Sequence, residues 1–177
     1  MNDPFFTQIE SPVGVLTLTA TNAGLTGVHF DRDRRAGAAT SFVRDDAPFA
    51  DAIAQLDEYF EGKRTEFELP IDLRHQAPFS RAVLGRLARV PYGHLTTYGA
   101  LAAEAHRPKA ARAVGTVMNR NPVPIVLPCH RVVGANGSLT GYGGGLERKE
   151  LLLKLEGALQ LTLPEPPPAP PAGPSSA

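Results

Sequence analysis

The stretch SPVGVLTLTATNAGLTGVHF, residues 11–30, alternates apolar and polar side chains on either side of Asn22-Ala23-Gly24. Period-two alternation about a turn-forming pair predicts a β-hairpin, Val15 to Ala20 against Leu25 to Phe30. A lone hairpin is marginal in water, so its apolar face needs cover. The periodicity then changes. In PFADAIAQLDEYFEGK (48–63), Phe49, Ile53, Leu56 and Phe60 recur at spacings of three and four, which predicts an amphipathic helix ending at Gly62. Between the two, DRDRRAGAAT (31–40) reads as a charged, small-residue loop. FELPIDL (67–73) reads as a third strand, confined by Pro70 to an edge or an end. Residues 1–74 therefore form a small α+β domain with no candidate catalytic group.

From residue 75 the pattern is helical. Phe79, Val83, Leu87 and Val90 make one stripe within residues 79–93, stopped by Pro91 and Gly93. Thr97 is a good N-cap for a short helix to Ala105. His106-Arg107 reads as a turn, and Pro108 as the tolerated first-turn proline of a second helix to Asn119. Two short helices about a tight turn describe a helix-turn-helix. The second carries Lys109, Arg112 and Arg120, and its small residues, Ala110 and Ala111 among them, let it approach another surface closely. IVLPCHRVV reads as a buried strand apart from its centre. A glycine-rich loop follows, then a helix over 146–157 with Leu151, Leu152 and Leu155 on its inner face. The second domain spans 75–160. Residues 161–177 are proline-rich and read as a disordered tail.

Charge and cysteine content narrow the function classes. The chain has 177 residues and no formal net charge, but residues 1–70 sum to −6 and residues 71–177 to +6. That asymmetry points to a polyanionic partner for the second half. The amino terminus lacks a basic segment ahead of an apolar one, so no signal peptide is expected. No run has the roughly 18 apolar residues of a membrane span, and no membrane partner is expected. Cys129 is the single cysteine. It forms no internal disulfide and suits a reducing cytoplasm. Cys and His are too few for a closed zinc site, so no metal is expected.

Cys129 is open to two readings: a small core hydrophobe, or a nucleophile. Pro128 interrupts the strand just before it, and His130 and Arg131 are expensive to bury without a purpose. A thiol reacts as thiolate, favoured by neighbouring cationic or hydrogen-bonding groups. Adjacent side chains of an extended segment point to opposite faces, so His130 reaches Cys129 only round a turn or through a water. As a base, His130 also needs a third group to orient it. Glu156, on the last turn of the next helix, is a candidate.

NPVPIVLPCHRVV resembles the active-site motif of the O6-alkylguanine-DNA alkyltransferases, the methylated-DNA–protein-cysteine methyltransferases. The likeness extends to PKAARAVGTVMNRNPVP as recognition helix and asparagine hinge, and to TTYGALA as the first helix. GYGGGLERKELLLKLEG resembles the carboxy-terminal loop and helix, and residues 11–30 the amino-terminal domain of bacterial members. The resemblance covers roughly residues 10–157. It implies an α+β fold: a small ribonuclease H-like amino-terminal domain, then a mostly helical domain with a winged-helix-like helix-turn-helix. It implies DNA repair by irreversible, single-turnover transfer of an alkyl group from O6-alkylguanine, and from O4-alkylthymine, to Cys129, with the base flipped out of the duplex. No cofactor is implied. The partner is double-stranded DNA bearing the lesion, met by a monomer in the bacterial cytoplasm, with cooperative binding left open.

Residue by residue, the resemblance makes Cys129 the alkyl acceptor, His130 its base through a water, and Glu156 the group holding the imidazole. Asn121 ties the helix-turn-helix to the active-site segment. Tyr98 polarises or protonates the guanine, and Arg112 fills the space the flipped nucleotide leaves. The carbonyls of Cys129 and Val132 take the guanine amino group, while Tyr142 and the Gly143 amide sit at O6. Thr97, Lys109, Ala110, Ala111, Arg112 and Arg120 contact DNA. Without the resemblance, Arg112 reads as a phosphate contact, Tyr98 as a packing aromatic and Glu156 as a solvated helix end. Leu84 stands where bacterial members usually have tryptophan, and Gly143 where some have serine. The zinc ligands of some relatives and the second, phosphotriester-accepting cysteine of long regulators have no counterpart. The rival classes are a cysteine hydrolase built on Cys129, His130 and Glu156, and a non-catalytic binder of alkylated DNA. The first predicts turnover, and the second lacks the cysteine.

Overall fold

The computed structural model describes residues 4–159. The proline-rich segment from residue 161 lies outside them. Four strands, β1 (Phe5–Ile9), β2 (Leu16–Thr21), β3 (Gly24–Phe30) and β4 (Val43–Arg44), form one sheet in the order β3-β2-β1-β4. The hairpin stands where the alternation placed it, with Leu16 opposite Phe30 and Leu18 opposite Val28. β1, which lacks a clean alternation, pairs antiparallel with β2 and parallel with β4. β2 is thus central. Its polar residues Thr17 and Thr19 are buried as well as its leucines, because its second face is covered too.

Two expectations in this half fail. Residues 31–40 are not a loop throughout: α1 (Arg34–Ala39) starts at Asp33, whose carboxylate accepts the Arg35 N–H at 2.9 Å as an N-cap. Residues 67–73 are not a strand. They run past the hairpin turn with Ile71 alone bridging Leu25. The Leu25 N–H donates to the Pro70 carbonyl at 2.9 Å and the Asp72 N–H to the Leu25 carbonyl at 2.7 Å. Pro70 has no N–H with which to continue a ladder. Gly24, at φ +142, admits this passage, since a Cβ there would sit 2.5 Å from the Pro70 oxygen.

α2 (Ala50–Phe60) turns a face to the core different from the predicted one. Phe49, Ala52, Leu56 and Tyr59 are buried, whereas Ile53 and Phe60 are only half-buried. α3 (Pro78–Leu87) ends earlier than expected, and Leu84 joins Val83 and Leu87 in the interior. The helix-turn-helix is α4 (Tyr98–Glu104) and α5 (Ala111–Asn119). Thr97 caps α4 as predicted, its hydroxyl accepting the Ala100 N–H at 3.1 Å. Pro108 does not open α5. It lies in the turn, where the Ala110 N–H bonds the Arg107 carbonyl at 2.9 Å, and helical geometry starts only at Ala111. Short β5 (Thr96–Thr97) runs parallel to β6 (Val132–Val133). α6 (Leu146–Leu155) buries Lys149, Leu152 and Leu153, while Leu151, expected inside, is 37% exposed.

Burial does not pause at the junction near residue 74. One apolar cluster runs from Leu16, Val28 and Leu56 through Val83, Leu87 and Val114 to Leu152. Polar bonds cross as well: the Val28 N–H donates to the Pro122 carbonyl at 2.9 Å, and Arg148 Nε to the Val13 carbonyl at 2.7 Å.

Candidate active site

The segment after α5 owes its shape to one amide. Asn121 is buried; its Nδ2 donates to the Leu127 carbonyl at 2.8 Å and its Oδ1 accepts the Val123 N–H at 3.0 Å. Both groups of one side chain therefore stand in for backbone partners across a non-repetitive stretch. Within it, Ile125 adopts φ +74, a strained conformation for a β-branched residue. Burial on every side is what reads as a strand in the sequence, but a strand is not what forms. The Cys129 N–H bonds the Leu127 carbonyl at 2.8 Å, and Cys129–Arg131 make a 3₁₀ turn before β6. Pro128 precedes that turn with backbone angles outside the extended region.

The turn separates the three polar side chains. His130 is fully buried, and its Nε2 lies 2.7 Å from Oε1 of Glu156. A carboxylate only accepts, so Nε2 carries the proton and Nδ1 is left as the acceptor. Nδ1 has no hydrogen-bond partner among the described residues. Arg131 grips the same carboxylate twice, Nε to Oε2 at 2.9 Å and Nη2 to Oε1 at 2.8 Å, and its Nη1 donates to the Val90 carbonyl at 2.6 Å. Glu156 is thus no solvated helix end: at the C-cap of α6 it is buried beneath four donor residues, the others being Tyr59 and Gly93. Burial alone would raise its carboxyl, but the hydrogen bonds and charges of His130 and Arg131 hold it far below the usual carboxylate range. For His130 burial wins over the nearby carboxylate and lowers the imidazole, which stays neutral.

Burial pushes the Cys129 thiol up to about 11, against the opposing pull of the Asn121 side chain and the Lys149 charge. A proton acceptor is therefore needed at neutral pH. The Tyr142 hydroxyl is buried beside the thiol, and each perturbs the other. Cys129, Asn121, Tyr142 and Gly143 line one narrow cleft with Phe30, Asp33 and Arg35 of the amino-terminal half. Its volume of about 20 Å³ suits a water, not a base. A cavity of about 710 Å³ lies elsewhere, between residues 65–71 and 88–92; Pro128 and Arg131 reach it and Cys129 does not.

The other expected residues are distributed around this centre. The Tyr98 hydroxyl donates to the Thr140 carbonyl of the glycine-rich loop at 3.0 Å. The Cys129 carbonyl accepts the Val132 N–H within the turn, and the Val132 carbonyl accepts Lys149 Nζ at 2.6 Å. A Cβ on Gly143 would stand 3.3 Å from the Asn119 carbonyl, a tight fit for any larger residue. Lys109, Arg112 and Arg120 are exposed in the helix-turn-helix, and Ala110 and Ala111 are half-buried at the start of α5.

Residues 5–73 match the family described as 6-O-methylguanine DNA methyltransferase, ribonuclease-like domain, and residues 78–158 match its DNA binding domain. The chain belongs to this family. The methylated-DNA--protein-cysteine methyltransferase of Mycolicibacterium paratuberculosis is 44% identical over 151 residues, covering 85% of this chain and 91% of the relative. That of Methanosarcina acetivorans is 41% identical over 155 residues, 87% and 99% of the two chains. The crystal structure of Mycobacterium tuberculosis OGT in complex with DNA superposes with a TM-score of 0.80 at 42% identity, covering 86% of this chain and 92% of that one. Both halves of the α+β methyltransferase fold are thus present, and Leu84, expected to stand in place of a tryptophan, is 1% exposed.

Three groups around the methyltransferase centre escape sequence reasoning. Tyr59 lies in the half that offered no catalytic candidate. Arg131 reads only as a costly neighbour of the thiol. Lys149 is fully buried and donates to the Val132 and Thr140 carbonyls at 2.6 and 2.9 Å. The one signal available was a lysine on the apolar face of α6, three residues before Leu152.

Proposed function

We propose that this chain repairs alkylated double-stranded DNA by transferring the alkyl group of O6-alkylguanine, and of O4-alkylthymine, to Cys129, once per chain. The observation that carries the reading is the 3₁₀ turn that points His130 at Glu156 while leaving Cys129 on a cleft beside a helix-turn-helix. The Cys129 proton passes to Nδ1 of His130 through a water, and Glu156 stabilises the imidazolium. Sulfur attacks the alkyl carbon, the carbon–oxygen bond breaks, and its electron pair stays on the guanine, which takes a proton from Tyr98. The product is a thioether, which water does not cleave.

An O6-alkyl group lies inside the duplex, so the base must leave the stack. Arg112 fills the gap, while Thr97, Lys109, Ala110, Ala111 and Arg120 hold the backbone. The second lone pairs of the Cys129 and Val132 carbonyls take the guanine amino group, and Tyr142 and the Gly143 amide take O6. The narrow cleft widens on binding, and Tyr98 exchanges Thr140 for the guanine. Asn121 keeps the segment in register with α5. The protein acts as a monomer in the bacterial cytoplasm. Among the described residues no helix is long and apolar enough to cross a membrane, and no group of three His, Cys, Asp or Glu could hold a metal ion.

The test is stoichiometry. With excess methylated duplex, intact mass should rise by one methyl per chain, on the Cys129 peptide, and stop there; Cys129→Ser should bind the duplex and accept nothing. Repeated turnover would establish a hydrolase instead.

A further inference from the structure

We propose that Tyr59 is a positioning residue for alkyl transfer: its hydroxyl, donated across the interface between the two halves to Oε1 of Glu156, holds the carboxylate that orients His130. The inference rests on the reading of Cys129 as alkyl acceptor. The Tyr59 Oη to Oε1 distance is 2.7 Å, equal to that from His130 Nε2 to the same oxygen. Tyr59 is fully buried on α2, 97 residues from its partner. Its ring is wedged against Phe60 and Phe67 at centroid distances of 5.3 Å and edge-on to Tyr92 at 6.2 Å. A phenol so clamped has one direction in which to donate.

The carboxylate's donors differ in origin. Arg131 and His130 come from the active-site turn, and the Gly93 N–H, 3.3 Å from Oε2, from the loop after α3. All belong to the same half as the thiol. Tyr59 alone comes from the amino-terminal half, so it ties the imidazole's anchor to the sheet domain. It also shares Oε1 with His130. A donor on that oxygen draws off charge that would otherwise strengthen the bond to the imidazole and make His130 more basic. The remaining charged or titratable groups around the pair are Arg131, Tyr92, Tyr142, Lys149 and Cys129. None of them replaces a neutral donor aimed at Oε1. Burial and the adjacent carboxylate keep the Tyr59 phenol protonated far above neutrality, so it donates throughout the working range.

Alkylation of the full-length chain by free O6-benzylguanine, followed as rate against pH from 5.5 to 9, separates this role from folding and DNA binding. The reactive form needs neutral His130. Tyr59→Phe should move the acid limb upward by roughly half a pH unit, so that the rate falls by up to about threefold on the acid side of the limb and recovers toward the parent well before pH 8.5. Phe60→Leu, which alters packing on the same ring but no hydrogen bond, should lower Tm and leave the limb in place. In an Glu156→Gln background, Tyr59→Phe should produce no further shift. Superimposable profiles for Tyr59→Phe and the parent, or an equal shift in Phe60→Leu, would overturn the proposal. If the parent itself fails to react at Cys129, it is the reading of the function that fails.

Discussion

The His130 imidazole and the Glu156 carboxylate meet at 2.7 Å, Nε2 to Oε1, with both side chains wholly buried. That bond sets the tautomer and leaves Nδ1 as the single basic position. Glu156→Gln should therefore slow transfer to Cys129 by at least about tenfold, a part of the 10²–10⁴ that a positioned base typically contributes, while duplex affinity changes little. It also strands Arg131, and breaking a buried pair costs about 3–5 kcal/mol, so rates belong below the variant's own melting range. Single-turnover rates and DNA affinity of the two proteins, measured side by side, decide this. Equal rates would remove Glu156 from the reaction.

Acid should weaken the fold through the same residues. The Glu156 carboxyl is depressed in the folded chain, so its contribution is present above its unfolded value near 4.5 and is lost as pH falls through the lower folded value. The His130 imidazole is also lowered. Its contribution is complete above about 6.5 and declines below that as the unfolded chain takes up a proton first. Tm should fall in two stages below pH 6.5, and His130→Gln should shrink the upper stage, leaving the part due to His29, whose imidazole burial also lowers. A Tm independent of pH between 4 and 6.5 would contradict the burial of a neutral imidazole.

The thiol should be sluggish toward small electrophiles. With burial pushing Cys129 up to about 11, the thiolate fraction rises about tenfold per pH unit below that value. Iodoacetamide labelling should climb accordingly from pH 7 to 10, whereas benzylguanine transfer, served by His130, should be nearly flat above pH 7. Parallel pH profiles for the two reagents would mean that no internal base assists.

Arg112 should matter only when a base has to be flipped. Filling the gap offsets an unstacking cost of a few kcal/mol, and each 1.36 kcal/mol is about tenfold in rate. Arg112→Ala should react with free benzylguanine at nearly the parent rate and with alkylated duplex at least about tenfold more slowly. A lesion opposite a mismatch should recover part of the loss. Equal losses on free base and duplex would assign Arg112 to the pocket or the fold.

Gly24→Ala tests the hairpin turn. The residue is at φ +142 and the added methyl would stand 2.5 Å from the Pro70 carbonyl oxygen, a backbone atom that cannot swing aside. Backbone strain and overpacking together should cost about 2–4 kcal/mol, read as a lower denaturant midpoint with an unchanged slope. A midpoint within experimental error of the parent would mean that residues 67–73 yield easily.

What the sequence determined by itself is local. The alternation about Asn22-Ala23-Gly24 specified the hairpin, because period two leaves one face to bury. Thr97 specified the start of α4, because its hydroxyl reaches an N–H three residues on. The PCHR motif with Asn121 upstream located the chemistry through family likeness, and the charge split placed the basic surface in the second half. What tertiary structure decided is which polar groups meet. IVLPCHRVV looks like a strand since every residue in it is buried, but Asn121 supplies the hydrogen bonds that let the backbone turn instead. Periodicity put Leu151 inside and had no place for Lys149, because it reports the faces of one helix and not the carbonyls of the segments that cover it. Tyr59 lies outside the stripe that spacing predicts on α2. Its role depends on a carboxylate 97 residues away, and no short-range pattern encodes the closing of one half of a chain onto the other.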